Sequence, residues 1–267
     1  MRPRAFLLGS VLALAAATGL AQTMRPAAVP PAAPAPAAAP APDGPVTPPP
    51  ASPELLAARA AIEAGRAATA EGRTADATIR FRAALAAPEG LEGDSVAAEA
   101  ARRLGFLAIE AQNPRDAEKY YRAKAILSRR LFIQGRLSAN RFAESLNRLA
   151  SALGIQGRSQ ESAQMIGYGV ELRDRARAAE SMAALRRPVE EQAIEIGFRL
   201  PPAPATCLVA SDTALSSRMT CAEDQALRNE ALLSDTRRIK ANAPPPETAE
   251  EKQARQAREK AEARRKR

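Results

Sequence analysis

Three hydropathy patterns follow one another along this chain. A mainly apolar run from Ala5 to Leu20 comes first, behind Arg2 and Arg4. A proline–alanine tract without any hydrophobic period follows, holding twelve of the 22 prolines between Pro26 and Pro53. From Ser52-Pro53-Glu54-Leu55 onward, apolar residues recur at three- and four-residue spacing, which predicts amphipathic α-helices. Ser52 can cap the first of them, Pro53 needs no amide there, and Glu54 suits the positive helix end. Beyond Pro244–Pro246 the pattern changes again. Alanines alternate with charges on every side, so a final helix capped by Thr248 is predicted with no stripe to bury.

Within the periodic stretch one comb of positions occurs three times. Gly65 is followed by Gly72, Ala77 and Phe81; Gly105 by Gln112, Ala117 and Tyr121; Ala150 by Gly157, Ser162 and Ile166. The intervals are the same each time. Ala64, Leu104 and Leu149 precede the small position, and Ala68, Ala108 and Leu153 stand three beyond it. Mechanically, this describes a helix with a small residue midway, a tight turn, and a second helix returning with a small residue and then a large one to fill the gap. Thr74, Asn113 and Ser159 stand where caps for the returning helices belong.

These residues resemble the tetratricopeptide repeat family over about residues 54–185. Gly65, Gly72, Ala77, Phe81 and Ala84 match that family's helix-pair pattern, as do Leu104, Gly105, Ala117 and Tyr121. The third unit keeps Leu149, Gly157 and Ser162 but has Ile166 where an aromatic is expected. The spacing of 40 and then 45 residues exceeds the family's about 34, with extra chain around Glu89–Ser95 and Leu127–Leu137. The resemblance implies an all-α fold of stacked antiparallel helix hairpins, an α-solenoid, whose first helices line a groove for a protein or peptide. Carried over by position, that groove exposes Arg59, Ile62 and Arg66, then Glu99, Arg102, Phe106 and Ile109, then Glu144, Asn147 and Ser151. Three arginines beside Ile62 and Phe106 would suit an acidic, partly apolar segment; the plainer reading makes them a solvated face with Phe106 in the core.

Composition narrows the chemistry. There is no histidine and no tryptophan, and Phe and Tyr together number nine, so alanine and leucine carry the packing. Histidine-based catalysis and imidazole metal sites are excluded, and two cysteines cannot close a zinc site. No Gly-rich phosphate loop or activated nucleophile appears, and carboxylate pairs such as Glu190-Glu191 sit on an ordinary charged face. No catalytic residue, metal or cofactor is expected. The net charge of +9 is concentrated at the ends: residues 251–267 carry eight Lys/Arg against Glu251, Glu259 and Glu262. Such a tail suits anionic lipid heads or acidic envelope polymers, or merely aids solubility. Nucleic acid is not expected, since no aromatic is interleaved for base stacking.

Residues 1–21 read as an export signal, with cleavage after Ala17 or Ala21; the competing reading is an uncleaved anchor. Residues 22–53 read as an extended, disordered Pro/Ala linker. The repeat domain spans 54–199, with Val189–Arg199 as its helical cap, a cysteine-containing helical segment spans 200–243, and the basic tail spans 244–267. In an exported chain Cys207 and Cys221 are most simply a disulfide; a redox pair would normally show CxxC spacing. Thr220-Cys221-Ala222-Glu223 has the form of a capping box opening a helix with Leu227, Ala231 and Leu232. The expectation is a periplasmic or secreted, non-enzymatic scaffold or adaptor using a repeat groove. The alternative is an envelope-polymer or membrane-surface binder acting through its tail.

Overall fold

The computed structural model describes residues 51–178, 181–242 and 249–265. The signal-like segment, the linker up to residue 50 and Thr248 lie outside the described residues. Among the described residues the chain is helical, with no strand. Six long helices come first: α1 (Pro53–Ala70), α2 (Thr74–Ala84), α3 (Leu91–Glu110), α4 (Pro114–Ile133), α5 (Ala139–Ile155) and α6 (Ser159–Arg177). They pair as antiparallel hairpins α1/α2, α3/α4 and α5/α6, and neighbouring hairpins meet through α2 with α3 and α4 with α5.

Local chemistry sets the ends. Ser52 Oγ accepts the Leu55 amide, and Asn113 Oδ1 accepts that of Asp116 with Pro114 behind it. Thr74 and Ser159 do not cap. Gly72 and Gly157 take the left-handed conformation at φ 73° and 76°, and the amides of Arg73 and Arg158 bond back to the carbonyls of Ala68 and Leu153. This Schellman closure makes the arginines the N-cap residues and draws each hydroxyl residue into the first helical turn. Gln112 does the same work without being glycine, at φ 55°. The chain beyond the family's repeat length goes mainly into helix rather than loop: α3 and α4 are each 20 residues long.

The comb has the physical meaning its spacing implies in two hairpins. A Cβ on Gly65 would stand 2.5 Å from the Phe81 ring, and one on Gly105 would stand 2.5 Å from the Tyr121 ring. Each ring packs against bare backbone and is buried. The third hairpin departs from this. Ala150 has a Cβ where a ring would have to lie, Ser162 Oγ instead bonds the Ala150 carbonyl at 2.8 Å, and Ile166 turns outward, 46% exposed.

Short elements follow: α7 (Met182–Leu185), α8 (Val189–Glu195), a 3-10 turn (Val209–Ser211) and α9 (Thr213–Ser216); then come the long α10 (Cys221–Asn242) and α11 (Ala249–Arg265). The helix predicted over Val189–Arg199 ends early, where Gly197 reverses the chain at φ 64°. Its Val189 and Ala193 pack on Leu233 of α10. The Thr220 capping box forms in both directions, at 3.2 and 2.9 Å. Cys207 and Cys221 are disulfide-bonded with Cα atoms 5.6 Å apart. The core crosses the boundary at residue 199: Val209, Leu215, Met219, Leu227 and Ala231 belong to the same apolar cluster as Phe81 and Leu146.

Charge does much of the fastening of α10. Arg122 of α4, fully buried, bonds Glu118 at 2.6 Å and Asp224 at 2.9 Å. Arg129 reaches Glu230 at 2.7 Å, and Arg130 reaches Glu223 at 2.7 Å and Asp94 at 3.1 Å. Asp94 also holds Arg218 at 2.8 Å, and the Arg218 guanidinium donates to the Ala87 carbonyl. Tyr168 donates its hydroxyl proton to Glu230 at 2.8 Å, and burial, with that carboxylate beside it, raises its pKa well above the ordinary phenol value. On α11 every described side chain is exposed, and Arg255 pairs with Glu259 at 3.6 Å.

Gly65→Ala gains about 1 kcal/mol of helix propensity but forces a methyl into a buried ring, an overpacking cost of about 1–3 kcal/mol. The expected net result is a lower urea midpoint, with Gly65→Ala/Phe81→Leu less destabilised than the sum of its singles; a stabilised Gly65→Ala would contradict the interlock. Opening the disulfide as Cys207→Ser releases a loop of about 15 residues. It is expected to cost about 3 kcal/mol and to speed amide exchange in 200–220 before it does so in α3 or α5.

Candidate functional site

The groove residues expected from position fall into three environments. Ile62 is core, 5% exposed. It stands three residues before Gly65, so helical geometry gives it the same inward face. Asn147 is half-buried and turns toward α6, where the missing side chain of Gly169 leaves room 3.5 Å from its Oδ1; that oxygen has no hydrogen-bond partner. Arg59, Arg66, Arg102 and Phe106 remain on one accessible face of α1 and α3, with Phe106 47% exposed. Ile109 is half-buried against the core, Ser151 is exposed, and Glu144 lies partly buried on α5.

The arginines are not free cations. Arg59 pairs with Glu92 at 2.6 Å, and Arg66 with Glu63 at 2.9 Å and Glu99 at 3.2 Å. Arg102 grips Glu99 with both Nε and Nη2, at 2.7 and 2.6 Å, and Arg103 Nε adds a bond at 3.0 Å. Glu99 is therefore the hub. Burial pushes its carboxyl up, but the hydrogen bonds of Arg102, Arg103 and Arg66 prevail and hold it at about 2. Both rungs between α1 and α3 join residues 33 apart, Arg59 to Glu92 and Arg66 to Glu99. Glu99 one turn before Arg102 and Arg103 was visible in the sequence; the pairings across 33 residues were not.

A second group lies between α4 and α5; of its members only Glu144 was singled out from the sequence. Lys124 Nζ donates to Ser145 Oγ at 3.0 Å, and Ser145 Oγ lies 2.8 Å from Ser128 Oγ. Burial above all drives the Lys124 ammonium down from 10.5 to about 8; Arg102 and Arg148 add repulsion, and Glu144 and Glu99 oppose it. Arg148 bonds Glu144 at 2.9 Å, which lowers the Glu144 carboxyl below its usual value. Ser145 is fully buried, so a substrate cannot reach it. This group shapes the charge of the face. Across both groups six cationic side chains meet four carboxylates, which leaves the face mildly cationic. Guanidiniums already held by carboxylates present their outer N–H groups at reduced entropic cost.

Among the described residues no cluster of three or more Cys, Asp or Glu side chains could hold a metal ion, and no helix is long and apolar enough to cross a membrane. Comparisons with family models, with curated proteins and with solved structures give no match.

The two shifted groups give opposite pH dependences. Glu99, depressed in the fold, contributes stability that is present above about pH 4.5 and lost as pH falls through about 2. Lys124, also depressed, penalises the fold while protonated, so stability rises as pH climbs from about 8 to 10.5. Urea midpoints are expected to show Glu99→Gln flattened in the acid window. Lys124→Met should be more stable than the parent below pH 8 and flat in the alkaline window. Parallel profiles for parent and variant would contradict either assignment.

Proposed function

We propose that this chain is a non-enzymatic interaction scaffold of the tetratricopeptide-repeat kind, exported to the bacterial envelope, which docks an acidic, partly apolar protein segment on the α1/α3/α5 face. The observation that carries this reading is Phe106, a large ring left half in water on a helix whose neighbouring arginines are pre-set by Glu99. An aromatic anchor beside oriented guanidiniums is the usual make-up of an energetic centre in an interface. The other side of the hairpins is already occupied, since α10 packs along α4 and α6. Export rests on the apolar start of the sequence and is supported by the disulfide.

A second reading is favoured by α11. Its described side chains are all exposed, and it lies in a tail with eight basic residues, which suits an anionic lipid or polymer surface. The two readings separate in one experiment. Peptides selected from an acidic–aromatic display library are titrated against the full chain, Phe106→Ala, Arg66→Glu and a chain lacking 247–267. Groove docking predicts at least about a tenfold loss for Phe106→Ala, a loss for Arg66→Glu, and no change on truncation. Tail binding predicts the reverse, with steep weakening by salt.

A further inference from the structure

We propose that Lys124 is a carbon dioxide acceptor, whose amine forms a carbamate facing the guanidiniums of Arg102 and Arg148. The inference does not need the docking reading, because it concerns one amine and its readout is a covalent adduct.

Two sheltered lysines stand on α4, and their surroundings differ. Lys119 lies between Asp116 at 3.0 Å and Asp212 at 3.3 Å. Burial works against its charge, but these carboxylates prevail and its pKa is raised. Lys124 has no such pair. Its Nζ donates to the Ser145 hydroxyl at 3.0 Å, and among the described residues no carboxylate stands at ion-pair distance from it. The two carboxylates that face it are engaged elsewhere. Glu144 of α5 holds Arg148 and Arg141, and Glu99 of α3 holds Arg66, Arg102 and Arg103. Tyr121, on its own helix, is bonded to Arg148. A sheltered ammonium without a partner is costly, so half of the Lys124 amine is neutral at about pH 8.

The lone pair of that neutral amine is not tied up. Ser145 Oγ donates its own hydrogen to the Arg141 carbonyl at 3.1 Å. A hydroxyl has one hydrogen, so Ser145 accepts from Lys124 and gives nothing back. On the other side Arg102 and Arg148 repel the ammonium, and Arg148 Nε is buried without an acceptor. The site suits an anion better than the cation it holds.

The chemistry balances without an oxidant or a catalyst. The Nζ lone pair attacks the carbon of carbon dioxide, an N–C bond forms, and one C–O π pair moves onto oxygen. One Nζ proton leaves to water. The remaining N–H keeps its bond to Ser145, and the new carboxylate faces the guanidiniums. An aldehyde would leave a neutral or cationic imine, and a simple acyl group a neutral amide; carbon dioxide leaves an anion and is small enough for a half-buried amine. The six cations and four carboxylates of the face become five of each.

Carbon-13 bicarbonate added to the full chain at about pH 8 tests this, with trapping by a trialkyloxonium salt, digestion and mass spectrometry. The oxonium alkylates a carbamate oxygen and fixes the adduct on its residue. The expected label on Lys124 exceeds that on Lys119 and that on the α-amino group, the reference for an amine of similar basicity. At fixed bicarbonate it is expected to fall about fivefold from pH 8 to about pH 7, as the neutral fraction of the amine does. Arg148→Gln is expected to cut it about tenfold, the loss of one charge-assisted hydrogen bond; Arg102→Gln replaces it if helicity changes. Lys124→Met should abolish it. Bicarbonate should raise the urea midpoint of the parent and leave that of Lys124→Met unchanged. The proposal is overturned if Lys124 carries no more label than the α-amino group, or if the label ignores both arginine variants. It is equally overturned by a bound carbon-13 resonance with no trapped adduct, the sign of bicarbonate held without a covalent bond.

Discussion

The structure depends on helices coming close together through very small side chains. A chain with no tryptophan and nine Phe and Tyr residues cannot fill wide gaps between helices, so the gaps have to be narrow. Gly65 and Gly105 allow Phe81 and Tyr121 to lie on bare backbone, and alanines at positions such as 77, 97, 101 and 117 bring neighbouring surfaces into contact with almost no exposure. Dispersion and burial per residue are modest, but interior density is retained. The turns serve the same end. Left-handed residues at Gly72, Gln112 and Gly157 reverse the chain within three residues, so the paired helices begin their contact at once.

Where apolar surface runs short, buried charge takes over. α10 is fastened to α4 by Arg122, Arg129 and Arg130 against Asp224, Glu230 and Glu223. Taking such groups out of water is costly, and a buried pair is weak evidence of net stability. Its value here is in register. Arg122 is held by Glu118 on its own helix and by Asp224 on α10, while Glu118 is shared with Arg158 and Gln156. A shift of α10 by one turn would strand several charges at once. The disulfide and the capping box at Thr220 hold the start of the same helix, so three kinds of chemistry converge on one end of α10.

This arrangement distributes the surfaces. α10 occupies the side formed by α4 and α6, which leaves the α1/α3/α5 side to solvent with its arginine ladder and Phe106. Lys124, under the ladder, is sheltered enough to hold its proton weakly.

Helix class, hairpin pairing, the turn positions, the capping box and the cysteine pair were legible in the sequence, because each follows from residues near one another in the chain. Ser52 and Asn113 declare themselves as caps, and the recurring small-to-large interval declares the hairpin. What tertiary structure decided is everything that depends on a distant neighbour. Thr74 and Ser159 lost their caps to the geometry of the preceding glycine. Ile62 went to the core, and Asn147 turned toward Gly169, because the inward direction of a helix is set by what it packs on. The arginines found carboxylates 33 residues away, and α4 found its counter-charges about a hundred residues on, in α10. Periodicity reports which residues share a face; only packing assigns each face a partner, because burial and charge pairing are properties of two surfaces together.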